Sequence, residues 1–141
     1  MMTIRQIALV RESFATLAPI APEAAAIFYR NLFALDPKLK PKFRGDMEAQ
    51  GAALMNMIAW AVGRLERAEE LLPALRELGA RHGRYGVRSE HYATVGAALV
   101  QTLAEGLGEA FTSEVGSAWI EMYDLISATM MAGAAHEALA A

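Results

Sequence analysis

The chain has 141 residues, 55% of them hydrophobic and 21% charged, a length that suits one domain burying about 68–70% of its unfolded surface and a composition that excludes intrinsic disorder. Its 13 basic and 16 acidic residues leave a formal charge of −3, too weak and of the wrong sign for a dedicated nucleic-acid binder. Cysteine is absent, which excludes disulfides, thiolate catalysis, zinc–thiolate and iron–sulfur centres, so any metal must take nitrogen or oxygen ligands.

Alanine and leucine outnumber valine and isoleucine, which favours an all-α domain. The apolar run at positions 7–10 is too short for a signal-peptide core. The stretch 125–135 falls short of the roughly 20 apolar residues that cross a bilayer. A cytoplasmic protein with no membrane partner is expected.

Thr3 with Gln6 reads as a capping box, and Ile7, Val10, Phe14 and Leu17 recur at helical spacing until Pro19. Pro22 and Glu23 suit the start of a second helix, whose apolar face runs through Ala25, Phe28, Leu32 and Leu35 to Asp36-Pro37. The segment 37–45 holds two prolines and every lysine of the chain, so it predicts a short helical turn and then a loop, with Phe43 its large apolar residue. Asp46 is a candidate N-cap for a third helix with Met47, Gln50, Leu54, Met57, Ile58, Ala61 and Leu65 on one face. In the fourth, Leu71, Leu75, Leu78 and His82 fall within roughly 60° of one another at about 100° per residue, and Gly83 with Gly86 is expected to break it. Ser89 then caps a fifth helix, with Tyr92, Val95, Leu99 and Leu103 inward until Gly106 and Gly108. The last begins near Thr112 and carries Val115, Trp119, Met122, Ile126 and Met130. Neither a repeat nor a linker interrupts this bundle of about six main helices, which is expected to be one domain over residues 1–141.

Three polar side chains on three helices point to the chemistry. His82 shares a buried stripe with leucines, whereas His91 and His136 read as solvated surface groups. Gln50 interrupts an apolar face and needs partners once buried. Tyr29 lies at the edge of the second helix's apolar face. Each taken singly is equally an ordinary hydrogen-bonded core group. Together they lack a nucleophile or an acid–base pair and suit a cofactor cavity, in which imidazole ligates iron on one side while phenol and amide donors face a small molecule on the other.

These residues carry a family resemblance. Ile27-Phe28-Tyr29-Arg30-Asn31-Leu32-Phe33, the Phe43 turn, Gln50 with Leu54, Leu78-Gly79-Ala80-Arg81-His82-Gly83-Arg84-Tyr85-Gly86-Val87 and Glu90-His91-Tyr92 follow in order over nearly the whole chain. In them the sequence resembles single-domain bacterial haemoglobins and the haem domain of flavohaemoglobins. The resemblance implies a globin fold enclosing haem b, with His82 as proximal iron ligand and Tyr29 and Gln50 as the distal polar pair. It further implies Phe43 as a haem-stacking ring and Leu54 as a distal wall. Arg81, Arg84 and Arg88 would either pair with haem propionates or form a solvated basic rim. The lysines at 38, 40 and 42 would attract an acidic reductase or serve as plain surface.

Two departures from the family pattern matter. No dinucleotide fingerprint follows a strand, the Gly106-Leu107-Gly108 run being a turn signal, so electrons would come from an external reductase. Relatives with strong redox chemistry place a glutamate on the proximal imidazole, assisted by a tyrosine matching Tyr92. That position falls at Ala134 here, with Glu137 one turn further as a substitute. Lacking the carboxylate, the imidazole pushes less electron density to iron, which favours reversible binding of dioxygen, with CO and NO as further ligands. The alternatives are a nitric oxide dioxygenase served by a separate reductase, a haem-based gas sensor, and a cofactor-free helical interaction module. Either a monomer or a homodimer is compatible with the sequence.

Overall fold

The computed structural model describes residues 2–140, and among them all regular structure is helical. Six α-helices follow in order: α1 Ile4–Leu17, α2 Ala21–Leu35, α3 Met47–Val62, α4 Ala68–Arg84, α5 Ser89–Leu107 and α6 Ser113–Ala140. Short 3₁₀ turns at Ala18–Ile20, Pro37–Lys42 and Gly108–Ala110 join three of the connections.

Local chemistry sets most of the ends. Thr3 Oγ1 accepts from the Gln6 amide at 3.1 Å and Gln6 Oε1 accepts from the Thr3 amide at 2.9 Å, so the capping box closes as its spacing predicts. Asp46 Oδ1 accepts from the Glu48 amide at 2.9 Å at the start of α3, and Thr112 Oγ1 from the Val115 amide at 3.2 Å at the start of α6. Gly108 ends α5 with φ 57°, a conformation costly for any residue with a Cβ.

Several ends differ from the expected ones. Leu65 lies beyond α3, which stops at Val62, although it is still buried. Gly83 lies inside α4; the break comes at Gly86, whose φ of 85° takes the chain out of the helix. Arg88, not Ser89, is the N-cap of α5.

The main core gathers Val10, Leu71, Leu75, Trp119, Met122 and Met130 from α1, α4 and α6, with α3 and α5 adding further apolar residues. Two buried polar links cross it. Trp119 Nε1 donates to Ser13 Oγ at 2.8 Å between α6 and α1, and Asn31 Nδ2 donates to Thr102 Oγ1 at 3.1 Å between α2 and α5. A second cluster of Phe28, Leu32, Leu39 and Ala98 lies under the Pro37–Lys42 turn.

Helix α4 packs chiefly on α6, and their backbones nearly touch. A Cβ on Gly79 would lie 1.9 Å from the Met130 carbonyl oxygen, and one on Gly133 2.0 Å from that of Arg76. Helix α3 leans on α2 and α1, and α3 and α4 scarcely meet.

Candidate functional site

Burial is graded along the inward faces of α3, α4 and α5, which marks the space between α3 and α4 as a candidate crevice. On α4, Leu71 and Leu75 are 1% exposed, while the next residues of the same stripe, Leu78 and His82, are only half-buried. On α3, Ile58 and Ala61 are buried but Leu54 and Gln50 are half-buried, and on α5 Tyr92, Val95 and Leu99 are half-buried beside the buried Ala98 and Leu103. Inward-facing positions on three helices are thus incompletely covered at one end of the bundle.

His82 stands on the α4 side. Its Nδ1 lies 2.9 Å from the Leu78 carbonyl oxygen one turn back. A carbonyl only accepts, so Nδ1 carries the proton and donates it, which leaves the Nε2 lone pair free. Gly83 lies close to α6: a Cβ there would be a tight 3.1 Å from Ala134 Cβ. Ala134 therefore sits against α4 beside Gly83, the residue that follows His82.

On the opposite side, Tyr29, Phe33 and Phe43 form an aromatic group. Tyr29 and Phe43 ring centroids are 5.4 Å apart edge to face, Phe33 and Phe43 likewise 5.4 Å, and Tyr29 and Phe33 stack at 6.0 Å. Phe33 is the member to which sequence reasoning gave no role, although its place in the aromatic-rich α2 motif was the available signal. Tyr29 Oη donates to the Gln50 backbone carbonyl at 3.4 Å, a long contact. Burial pushes the Tyr29 phenol above its ordinary pKa, so it stays protonated as a donor. Leu54 packs against both clusters.

Gln50 departs from expectation. It is half-buried at the margin, and its Nε2 donates to the Arg44 carbonyl at 2.8 Å. The loop entering α3 brings a free carbonyl to the amide, so the interior is relieved of it. Tyr29, Phe43, Gln50 and Leu54 are brought together by α2, the turn and α3, with His82 on α4 beyond the crevice.

The remaining candidates divide. Tyr92 Oη is buried and has no hydrogen-bond partner, and burial raises its pKa. Arg81 is exposed. Arg84 is not free for a cofactor carboxylate, because its Nη1 pairs with Glu137 Oε1. The same pair occupies Glu137, while His82's recorded bond goes to Leu78. Arg88 is exposed, and its amide donates to His91 Nδ1 at 2.9 Å. His91 is thus a half-buried cap and not the solvated group expected, whereas His136 is exposed as read.

Among the described residues, no three His, Asp or Glu side chains gather to hold a metal ion. A metal at His82 would have this single imidazole from α4 and must bring its other ligands with it. A planar iron macrocycle fits that donor set: free Nε2 on one wall, aromatic and leucine surface on the other, and hydroxyl and amide donors at the rim. No helix among these residues is long and apolar enough to cross a membrane.

Comparison with known proteins agrees. A globin family model matches residues 26–130. An uncharacterised globin-like protein of Aquifex aeolicus is 32% identical over 131 residues, covering 93% of either chain. A flavohemoprotein of Chromobacterium violaceum is 34% identical over 108 residues, 74% of this chain but 26% of that protein. This chain thus matches about a quarter of the flavohemoprotein's length. A bacterial globin of Campylobacter jejuni superposes with a TM-score of 0.81 at 24% identity, covering 95% of this chain and 97% of that one. In sequence and in fold, the chain belongs to the globin family.

Proposed function

We propose that the protein is a haem globin that binds dioxygen reversibly, for oxygen carriage or storage, with haem b in the crevice between α3 and α4. The observation that carries this reading is the state of His82, whose Nδ1 proton is committed to the Leu78 carbonyl at 2.9 Å while Nε2 keeps a free lone pair. Bound there, haem supplies an iron centre that takes diatomic gases such as dioxygen, CO and NO.

The chain's own residues supply the selectivity. His82 would hold the iron through Nε2, and its bond to Leu78 fixes both tautomer and ring direction. Phe43 and Leu54 present apolar surface that excludes water. The Tyr29 hydroxyl, held only by a 3.4 Å contact, is free to turn its proton toward a ligand that gains negative charge on binding. The partner of His82 is a neutral carbonyl, and Glu137 is engaged by Arg84. An imidazole without a carboxylate donates less electron density, which favours reversible binding over oxidative turnover. A cytoplasmic location and a single domain over residues 1–141 belong to the same reading.

Absorption spectra of the purified protein, oxidised, reduced and under carbon monoxide, test it together with the His82→Ala variant. A haem spectrum that the substitution abolishes or grossly alters is expected. An unchanged Soret band in the variant, or a folded wild type that stays colourless and takes up no haemin, overturns the assignment. Sustained nitrate formation from nitric oxide with a reductase present would move the function to a dioxygenase using the same residues.

A further inference from the structure

The cations of this chain are unevenly neutralised. Arg5, Arg11, Arg30, Arg64, Arg67 and Arg84 each lie within ion-pair distance of a glutamate. Among the described residues no such pair involves Arg76 or Arg81 of α4 or Arg88 before α5, and none involves the close-set group Lys38, Lys40, Lys42 and Arg44, whose four side chains are exposed. They occupy alternate positions along the 3₁₀ turn and the loop that follows, so one short edge carries four free positive charges on a chain whose formal charge is −3. Asp36 and Asp46 flank the edge, but each turns a carboxylate oxygen onto a helix-start amide, of Lys38 at 3.1 Å and of Glu48 at 2.9 Å, where the local dipole partly offsets it.

This edge is part of the crevice wall. Phe43, between Lys42 and Arg44, packs edge to face on Tyr29 and Phe33. The Arg44 carbonyl holds Gln50 Nε2 at 2.8 Å. A body resting on the four cations therefore lies next to Phe43 and, through it, to Tyr29 and Phe33.

We propose that this edge is the docking face for an acidic electron-transfer protein, which passes one electron at a time to ferric haem and is itself oxidised by one electron. The proposal rests on the haem reading above. A polyanionic membrane or nucleic acid suits the surface less well, because the cationic edge is only a few residues long and the rest of the chain is net acidic and repels an extended polyanion. A compact protein that presents carboxylates around its own redox group meets the edge and stays clear of the acidic remainder.

The test uses oxidised flavodoxin, a small acidic flavoprotein, as probe. Titrated into the 15N-labelled haem-loaded carbon monoxide form, it should shift amide resonances at 38–44 and their neighbours. These shifts should vanish in Lys38→Gln/Lys40→Gln/Lys42→Gln and at about 0.5 M salt, where screening shortens to a few ångströms. Reduction of the ferric protein by the ferrous EDTA dianion should slow about ten-fold in the triple variant at low salt, while hexaammineruthenium(II) should reduce the variant faster. Arg5→Gln, which removes a cation elsewhere, should change neither. Shifts that are absent or lie elsewhere, or reduction rates equal in variant and wild type, overturn the proposal. Lysine-dependent binding to phosphatidylserine vesicles without flavodoxin shifts also overturns it and makes the edge a membrane face. A normal haem spectrum accompanying any of these failures leaves the globin reading standing, whereas a protein without haem removes both.

Discussion

Tyr29 and Gln50 illustrate how single side chains divide a role. Gln50 spends an amide proton on the Arg44 carbonyl at 2.8 Å, whereas Tyr29 makes only a 3.4 Å contact. The phenol is the more available donor. A hydrogen bond to a partly charged ligand is worth about 1.5–3 kcal/mol, so Tyr29→Phe should speed dioxygen dissociation roughly 10- to 100-fold, as flash photolysis or stopped flow would show. An unchanged rate would assign the bond to Gln50. Tyr92 makes the opposite case. Its buried hydroxyl has no partner, while its backbone carbonyl accepts from Tyr123 Oη at 2.5 Å and would still do so in Tyr92→Phe. Removing an unsatisfied hydroxyl should stabilise the fold by about 1 kcal/mol in urea unfolding; a loss of stability would mean that the phenol has a partner after all.

At the scale of elements, the seating of α4 on α6 fixes where His82 stands. Glycines at 79 and 133 let backbone meet backbone, and no side chain can yield to relieve an added methyl. Gly79→Ala should therefore cost about 3 kcal/mol in chemical denaturation and disturb the proximal ligand's spectrum along with it. An effect below about 1 kcal/mol, the ordinary range for an exposed helical position, would show that α4 moves freely. Between α2 and α5, buried Asn31 bonds both Thr102 Oγ1 at 3.1 Å and Glu105 Oε2 at 3.0 Å. Asn31→Ala should destabilise by about 1–3 kcal/mol, although Thr102 keeps its own bond to the Ala98 carbonyl at 2.7 Å. Thermal unfolding would report the loss.

Across the whole molecule, stability should fall on the alkaline side. Burial pushes the phenols of Tyr29, Tyr92 and Tyr123 upward, most strongly Tyr123, where Tyr92 and Asp124 add to the effect. Below about pH 10, the unfolded value, both states hold these protons and stability is at its full value. Above it, the unfolded chain releases protons that the folded one retains, so unfolding free energy declines as pH rises through the folded values. Urea midpoints should hold up to about pH 10 and decline above it, and less steeply in Tyr123→Phe; a profile that stays level above that pH would contradict the burial of these groups. The six surface ion pairs should contribute little by comparison, since their side chains remain largely in water.

The sequence by itself determined the six helices, the Thr3 and Asp46 caps, the short turn before Phe43 and the inward stripe ending at His82. All of these follow from interactions between residues two to four apart, whose partners can be read along the chain. The fit of Gly79 and Gly133 to the opposing backbone, the diversion of Gln50 to Arg44, the capture of Glu137 by Arg84 and the use of His91 as a cap are not legible that way. Gly83 is instructive: read locally it is a helix breaker, yet it stays helical within α4, where its lack of a side chain lets Ala134 of α6 approach closely. A glycine's cost is local and its benefit here comes from a helix some fifty residues away. Tertiary structure alone also decided that α3 and α4 stand apart, because a crevice is a property of two packed faces and neither helix carries it in its own periodicity.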